Sequence, residues 1–518
     1  MRIILTVLLV LVGGVGTAFG RPAGSLAVDL DGLDGHVQEL LLLGNIPGAA
    51  VAVVKTGEAP LVRGYGSRVV GGEADVDGDT VFAIGSMTKH ITATALGILV
   101  EEGKLDWEAP LTRYLPELRF SDANLSANLN LVDALSHRSG LARADLIWFA
   151  RPGASRSEML AAIARIPVEQ AFRASYLYNN FLYLAAGQAI PQVTQASWDE
   201  FLTQRLFEPL DMERSGTSIT SLAALDNVAK PHYFTPGGAI STDYFDLAHV
   251  GPAGAVYSSA ADMAKWCRVQ LEPGQLESRI PGLTEAVQAT RAPRNFMALE
   301  DEGHAGNRHK SYALGLERMN YGSSQVMYTH GGAIQGMASN IAFIPEAGLC
   351  VAVLTNGETG SGVRYALTDW IMDRLLGLPA ADDGSALRAK LEQRRGRYLG
   401  AGQLHAAARD PSIAPPFALE AMPGEYDNPV YGRLSIALEN GVLRTQYGTA
   451  FHGELRQFRG ATFEVVPDDP IRRRTMPAPF SLSASVEKSG TVESVLLQMP
   501  GPQQDGIRFA RVPGEAAH

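Results

Sequence analysis

A hydroxyl, an amine and a phenol occur in this sequence at spacings that suit covalent catalysis. Ser86-Met87-Thr88-Lys89 sets a serine three residues before a lysine. On a helix those positions share a face, so a free amine at Lys89 can take the Ser86 proton and make the oxygen nucleophilic. A helix that opens at the serine adds positive potential and free N–H groups able to hold an oxyanion. Tyr178-Asn179-Asn180 offers a phenol whose proton a neighbouring ammonium would loosen, making it an acid or base. The amide of Asn180 can orient both the lysine and a substrate carbonyl. His330-Gly331-Gly332 follows Gln325–Thr329, read as a strand that ends there. Small residues at a strand edge admit a substrate backbone, and the histidine can bind a carboxylate or polarise the tyrosine.

Each motif has a second copy. Ser485-Val486-Glu487-Lys488, Tyr426-Asp427-Asn428 and His304-Ala305-Gly306 repeat the patterns. The Ser485 copy falls in a strand-rich stretch, where residues three apart point to opposite faces. It is read as coincidence. The weight rests on order: serine opening a helix, tyrosine in a turn before a helical run, histidine at a strand.

The elements that must position these groups are legible from periodicity. Ala49–Val54 and Leu61–Tyr65 form a β-hairpin across a turn at Gly57, and Ser86–Glu102 is helical with Gly103 as its stop. Helical segments and Gly/Pro-rich turns fill 106–291. Strands return at Ser339–Phe343 and Leu349–Leu354, and a helix spans Gly362–Leu376. Strands early and late with helices between predict an α/β (α+β) architecture. An antiparallel sheet is built from both ends of the domain, flanked by helices and an all-helical subdomain. After a linker with a short charged helix at Ala386–Arg395, the chain turns strand-rich: 434–438, 443–447, 462–466, 481–486 and 492–498. Asn440-Gly441 is a hairpin turn, and the region reads as a smaller all-β barrel or sandwich. The expected division is a signal peptide at 1–20, the hydrolase domain at 21–378, a linker at 379–423 and the β domain at 424–518.

The 518 residues include 46% hydrophobic ones, enough for a large core and too many for one ordinary domain. A net charge of -11 without a basic run argues against nucleic acid as a partner. Arg2, the apolar run 3–12 and small residues at 17–20 read as a signal peptide, hence a secreted or periplasmic protein with no membrane segment in its mature form. Cys267 and Cys350 are expected to be buried free thiols. No metal-ligand spacing occurs, so neither metal nor cofactor is expected.

Several ordered segments together carry a family resemblance: Ile46–Ala50, Phe82–Lys89, Ala134–Leu141, Tyr178–Gly187, Leu206–Met212, Gly254–Ser259 and Tyr328–Gly332. The chain resembles the class C β-lactamases, serine D-Ala-D-Ala peptidases, D-aminopeptidases and related esterases (the peptidase S12 type) over 31–378. The resemblance implies Ser86 as nucleophile, Lys89 as its partner and Tyr178 as acid/base for the leaving group. It implies that Asn180 holds Lys89 and the substrate carbonyl, and that the N–H groups of Ser86 and Ala333 form the oxyanion hole. With His330 and Gly332 these are the substrate-binding candidates, and His137 is given a structural role. Where such β-lactamases carry K-T-G this chain has His330-Gly331-Gly332, closer to the peptidases; Gly331 is expected to widen the edge for bulky acyl groups. Gly424–Gly432 resembles the start of a lipocalin-like barrel appended to such hydrolases.

The expected reaction is cleavage of an amide or ester in a small molecule or short peptide through a Ser86 acyl-enzyme. D-aminopeptidase or small-peptide amidase comes first, carboxylesterase second, β-lactamase third. From other classes come an inactive penicillin-binding-like protein and a barrel that binds the ligand itself.

Overall fold

The structure, a computed structural model, describes residues 26–513 except 152, 299–308, 323, 359, 380–383, 449–450, 477, 488–489 and 499–505. The signal segment, the His304 copy and Lys488 of the second S-x-x-K lie outside the described residues.

The early hairpin forms as expected, as β1 (Gly48–Lys55) and β2 (Leu61–Gly66). Strands β3 (Asn295–Phe296), β4 (Lys310–Tyr312), β5 (Glu317–Tyr321), β6 (Gln325–Ile334), β7 (Met337–Ile344) and β8 (Leu349–Thr355) complete an antiparallel sheet. Its order is β2-β1-β8-β7-β6-β5-β4-β3, so the two ends of the domain meet where β1 pairs with β8. The principal helices are α1 (Leu33–Gly44), α2 (Thr88–Glu101), α3 (Phe181–Thr194), α4 (Ala260–Leu271) and α5 (Gly360–Leu376).

Alternation along β1 sorts the core into two layers. Ala49, Val51 and Val53 join α1 and α5 residues such as Val37 and Leu367. Ala50, Ala52 and Val54 join the larger core that contains α2, α3 and the helical segments between. Each large aliphatic side chain so buried contributes about 1.5–3 kcal/mol. Strand β1 is therefore apolar on both faces and reads as one continuous run.

Two expectations are corrected. Cys267 of α4 and Cys350 of β8 form a disulfide, with Cα atoms 5.7 Å apart. Helix α4 lies on the sheet face to which Cys350, Ala352 and Leu354 point, and that packing joins residues 83 apart in sequence. Strand β6 does not stop at Thr329 but runs to Ile334, because Gly331 and Gly332 pair with Asn340 and Ser339 of β7.

Helix α6 (Ser385–Ala408) extends well beyond the short helix expected there. It precedes a closed barrel of β9 (Gly424–Asn428), β10 (Gly432–Glu439), β11 (Val442–Tyr447), β12 (Phe451–Arg459), β13 (Thr462–Pro467), β14 (Phe480–Val486), β15 (Val492–Gln498) and β16 (Ile507–Arg511). Asn440 and Gly441 turn the β10–β11 hairpin with φ of 52° and 82°, the left-handed pair such a turn needs. The barrel is filled by its own side chains, among them Tyr426, Ile436, Tyr447, Phe463, Leu482 and Phe509, all buried. That leaves the second Y-x-N as core, with Tyr426 donating to the Met422 carbonyl at 2.6 Å. The barrel also docks on the first core: Val430 of its β9–β10 turn joins the hydrolase cluster, and Leu146 joins the barrel cluster. Among the described residues no helix is long and apolar enough to cross a membrane.

Candidate active site

Ser86 sits where a short strand (Val81–Ala83) turns into a helix. Gly85 makes the turn with φ of +53°, and a one-turn 3-10 helix (Gly85–Met87) feeds α2. The turn is pinned from three sides. Thr88 Oγ1 donates to the Gly85 carbonyl at 2.7 Å, Val256 N–H donates to Thr88 Oγ1 at 3.1 Å, and Ser339 Oγ donates to the Ile84 carbonyl at 2.7 Å. From Thr88 to Leu99 every residue of α2 is buried. Ser86 is half-buried at the helix entrance, with Lys89 fully buried behind it.

The Lys89 amine has three neighbours. Its Nζ lies 2.7 Å from Asn180 Oδ1, 2.7 Å from the Ala253 carbonyl oxygen and 3.0 Å from Ser86 Oγ. Burial pushes the Lys89 ammonium well below the usual lysine range; Asp145 opposes the shift and Arg143 adds to it. The free amine has two N–H bonds and one lone pair. Asn180 Oδ1 and the Ala253 carbonyl only accept, so they take both N–H bonds. The lone pair is left facing the Ser86 hydroxyl.

Tyr178 lies in the turn before α3, and its hydroxyl donates to Ser86 Oγ at 2.9 Å. The ring of Tyr178 is 4.9 Å from Lys89 Nζ on one side and 5.1 Å from the Arg143 guanidinium on another. Burial pushes the phenol up, and its bond to Ser86 and the charge of Arg143 only partly reverse this. The expected loosening of the phenol by a cationic lysine is therefore corrected. Burial favours the uncharged form of both groups, so a free amine and a protonated phenol stand beside Ser86.

His137 holds that turn in place. Its Nδ1 accepts from Asn179 N–H at 3.1 Å, and its ring packs 4.3 Å from that of Tyr178. The structural reading of this residue fits its contacts.

Strand β6 supplies the other wall. Gly332 lies so close to the turn that a Cβ there would sit 1.8 Å from the Ile84 carbonyl oxygen. A Cβ on Gly85 would lie 3.0 Å from Ala333 N. These two glycines let the backbone at the exposed Ala333 close against the turn that carries Ser86. His330 is buried and neutral, held well below the usual histidine range chiefly by burial. Its Nδ1 meets the Gly331 carbonyl at 2.7 Å and its Nε2 the Tyr312 hydroxyl at 2.8 Å. Both nitrogens are thus engaged inside the protein, and the tyrosine it bonds is Tyr312, not Tyr178. Gly331 does not open the edge either: Tyr365 and Arg364 face it, within 2.4 Å and 2.8 Å of where its Cβ would be.

Sequence reasoning brought Ser86, Lys89, Tyr178 and Asn180 together but missed Arg143, Asp145 and Ala253. Asp145 accepts from Asn180 Nδ2 at 3.0 Å and pairs with Arg143. Because a carboxylate accepts only, it fixes which end of the Asn180 amide faces Lys89. Arg143 and Asp145 stand in a loop with no recurring pattern, and Ala253 acts through its backbone. The mouth also adjoins a shallow hollow, open to solvent and lined by Tyr244, Phe245, Leu247, Tyr257, Ile334 and Met337 among others. Among the described residues no cluster of histidine, cysteine or carboxylates could hold a metal ion.

A family model described as Beta-lactamase matches residues 33–375. The chain belongs to the beta-lactamase family. Members with similar sequence include the protein named unguisins hydrolase ungD from Aspergillus violaceofuscus, 27% identical over 497 residues, spanning 88% of this chain and 86% of the relative. Penicillin-binding protein 4 of Amycolatopsis lactamdurans is 28% identical over 351 residues, spanning 64% and 87%. In fold, the octameric penicillin-binding protein homologue from Pyrococcus abyssi matches with a TM-score of 0.61 at 19% identity, covering 93% of this chain and all (100%) of its own. D-amino acid amidase from Ochrobactrum anthropi SV3, solved with L-phenylalanine amide, matches with a TM-score of 0.56 at 22% identity, covering 68% and 98%. Membership of the beta-lactamase family, with hydrolases among the relatives, places the chain among the serine hydrolases.

Proposed function

We propose that this enzyme cleaves amide or ester bonds of small peptides and aminoacyl amides through an acyl-enzyme on Ser86, with D-aminoacyl amides as the preferred class. The observation that carries the reading is the Lys89 amine, whose two N–H bonds are spent on Asn180 Oδ1 and the Ala253 carbonyl while its third neighbour is the Ser86 hydroxyl. Ser86 Oγ attacks the carbonyl carbon and its proton passes to Lys89. The N–H groups of Ser86 and Ala333 hold the oxyanion. As the C–N or C–O bond breaks, Tyr178 gives its proton to the leaving atom and recovers one from the Lys89 ammonium. Water then attacks the ester, the same groups taking its proton, and Ser86 is restored.

Amide cleavage ranks above β-lactam cleavage for a physical reason. The K-T-G lysine of β-lactamases supplies a cation at the strand edge. Here His330 is buried, neutral and bonded at both nitrogens. The hydrolase name of a relative spanning 88% of the chain supports hydrolysis as the reaction. The aromatic hollow beside Ala83 and Gly254 supports an apolar acyl group. The Cys267–Cys350 disulfide supports export to an oxidising compartment.

A panel of D-aminoacyl amides, their L-enantiomers, p-nitrophenyl esters and nitrocefin ranks the substrates. Preference for nitrocefin overturns the order, and Ser86→Ala retaining a fluorophosphonate label at the site overturns the mechanism.

A further inference from the structure

Arg364 of α5 is 7% exposed, and among the described residues its guanidinium pairs with no carboxylate. It donates to the Gly332 carbonyl, to the Ser339 carbonyl at 2.9 Å and to the Tyr365 hydroxyl at 3.2 Å. A buried cation without a counter-charge is disfavoured, so these carbonyl contacts are what holds it there. Access depends on Gly331. A Cβ at that position would stand 2.8 Å from Arg364 Nη2 and 3.0 Å from its Cζ. The departure from K-T-G and the reach of Arg364 thus occur at one place.

The Gly332 carbonyl and the Ala333 N–H are the two ends of one planar peptide. In an antiparallel pair they point in opposite directions along the sheet. Gly332 pairs with Ser339 of β7, and beyond Thr329 the other edge of β6 has no strand beside it among the described residues. The oxygen end therefore faces β7 and Arg364, while the N–H end faces the mouth that holds Ser86. We propose that Arg364 is a positioning residue that polarises this peptide from behind and strengthens the Ala333 N–H as a donor to the oxyanion. A cation bonded to the carbonyl draws electron density toward oxygen and leaves the N–H more positive. The charge is fixed before reaction, so it costs no reorganisation when the oxyanion forms. The inference rests on the Ser86 acyl-enzyme reading and goes beyond it, since Arg364 touches no reacting atom.

Three variants separate charge from hydrogen bond: Arg364→Lys keeps the charge, Arg364→Gln keeps a donor, and Arg364→Met keeps neither. Each is acylated with a penicillin-type probe labelled with ¹³C at its carbonyl, and the adduct on Ser86 is confirmed by mass spectrometry. The infrared stretch of the acyl carbonyl reports the strength of its hydrogen bonds; a merely structural role would leave it unmoved. The expected order of acylation rate is wild type, Lys, Gln, Met. The Met variant falls about tenfold, short of the 10²–10³ for losing an oxyanion donor outright. The carbonyl stretch rises in the same order. If the Met variant does not fold, Lys against Gln decides. Wild-type frequencies in Gln and Met overturn the proposal, even where the rate falls. Absence of an adduct on wild-type Ser86 from both this probe and a fluorophosphonate would instead overturn the mechanism on which it rests.

Discussion

If Lys89 is the base, the two charges beside it must shift the pH profile in opposite directions. Asp145 favours the lysine cation and Arg143 disfavours it. The Asn180 amide bridges Lys89 Nζ and Asp145 Oδ1, with bonds of 2.7 Å and 3.0 Å at its two ends. Across that span of roughly 7 Å, an effective dielectric of about 20 gives about 2 kcal/mol, or about 1.5 pKa units. The Asp145 side chain is 26% exposed and already shares its charge with Arg143, so about one unit is expected to survive. Asp145→Asn removes the charge but keeps an oxygen to accept from Asn180. The ammonium then loses its support, its pKa falls, and activity persists about one pH unit further into acid. Arg143→Met has the opposite sign: the cation becomes easier to form, and the acid limb moves up. Its shift is about half a unit, because the Arg143 side chain is 49% exposed. The assay is kcat/KM against pH with a p-nitrophenyl ester, whose acid limb reports the free enzyme's base. Movement of both limbs in one direction, or of neither, refutes the assignment of Lys89 as the base.

Three other outcomes follow from the same geometry. Tyr178→Phe should still acylate Ser86, since Lys89 keeps its lone pair. Turnover of an amide should fall on the order of 10²–10⁴-fold and that of a p-nitrophenyl ester far less, because only the amide nitrogen needs the phenol's proton; equal losses on both would refute the role. Gly332→Ala must move β6 off the Ile84 carbonyl, which its Cβ would otherwise approach to 1.8 Å. Such a displacement of about 1 Å should cost on the order of 10²-fold in acylation, read by stopped-flow labelling. Replacing Cys267 and Cys350 together by alanine removes a cross-link spanning 83 residues. Chain entropy assigns that loop about 4.5 kcal/mol, so the melting temperature should drop and no longer respond to reductant.

The sheet, the central helix, the hairpin at Asn440-Gly441 and the candidate pair of Ser86 and Lys89 were legible because local pattern determines them. Helical spacing puts Ser86 and Lys89 on one face, and alternation marks the strands. What was hidden depends on tertiary packing. Nothing local tells a free Cys350 from one that meets α4. His330 looks like a ligand because its residue type is versatile, and only its pairing with Tyr312 and the Gly331 carbonyl shows both nitrogens occupied. Arg143 and Asp145 carry no motif at all. Strand β6 was cut short because glycines read as an end, whereas here their missing side chains let the strand pass the turn at Ile84.

The site also shows why burial, more than any pairing of charges, sets the chemistry. An exposed lysine and tyrosine would rest as ammonium and phenol, with no base for the serine. Enclosing α2 from Thr88 to Leu99 excludes water from Lys89 and favours its free amine. Burial of its own ring likewise favours the protonated phenol of Tyr178. In the proposed mechanism the resting enzyme thereby holds a proton acceptor 3.0 Å and a proton donor 2.9 Å from Ser86 Oγ. No ion pair has to be broken before attack, and charge first appears when the oxyanion and the Lys89 ammonium form together. In that mechanism the Ser86 and Ala333 N–H groups would meet the anion, while Asn180 Oδ1 and the Ala253 carbonyl, each 2.7 Å from Lys89 Nζ, and the nearby Asp145 would meet the cation.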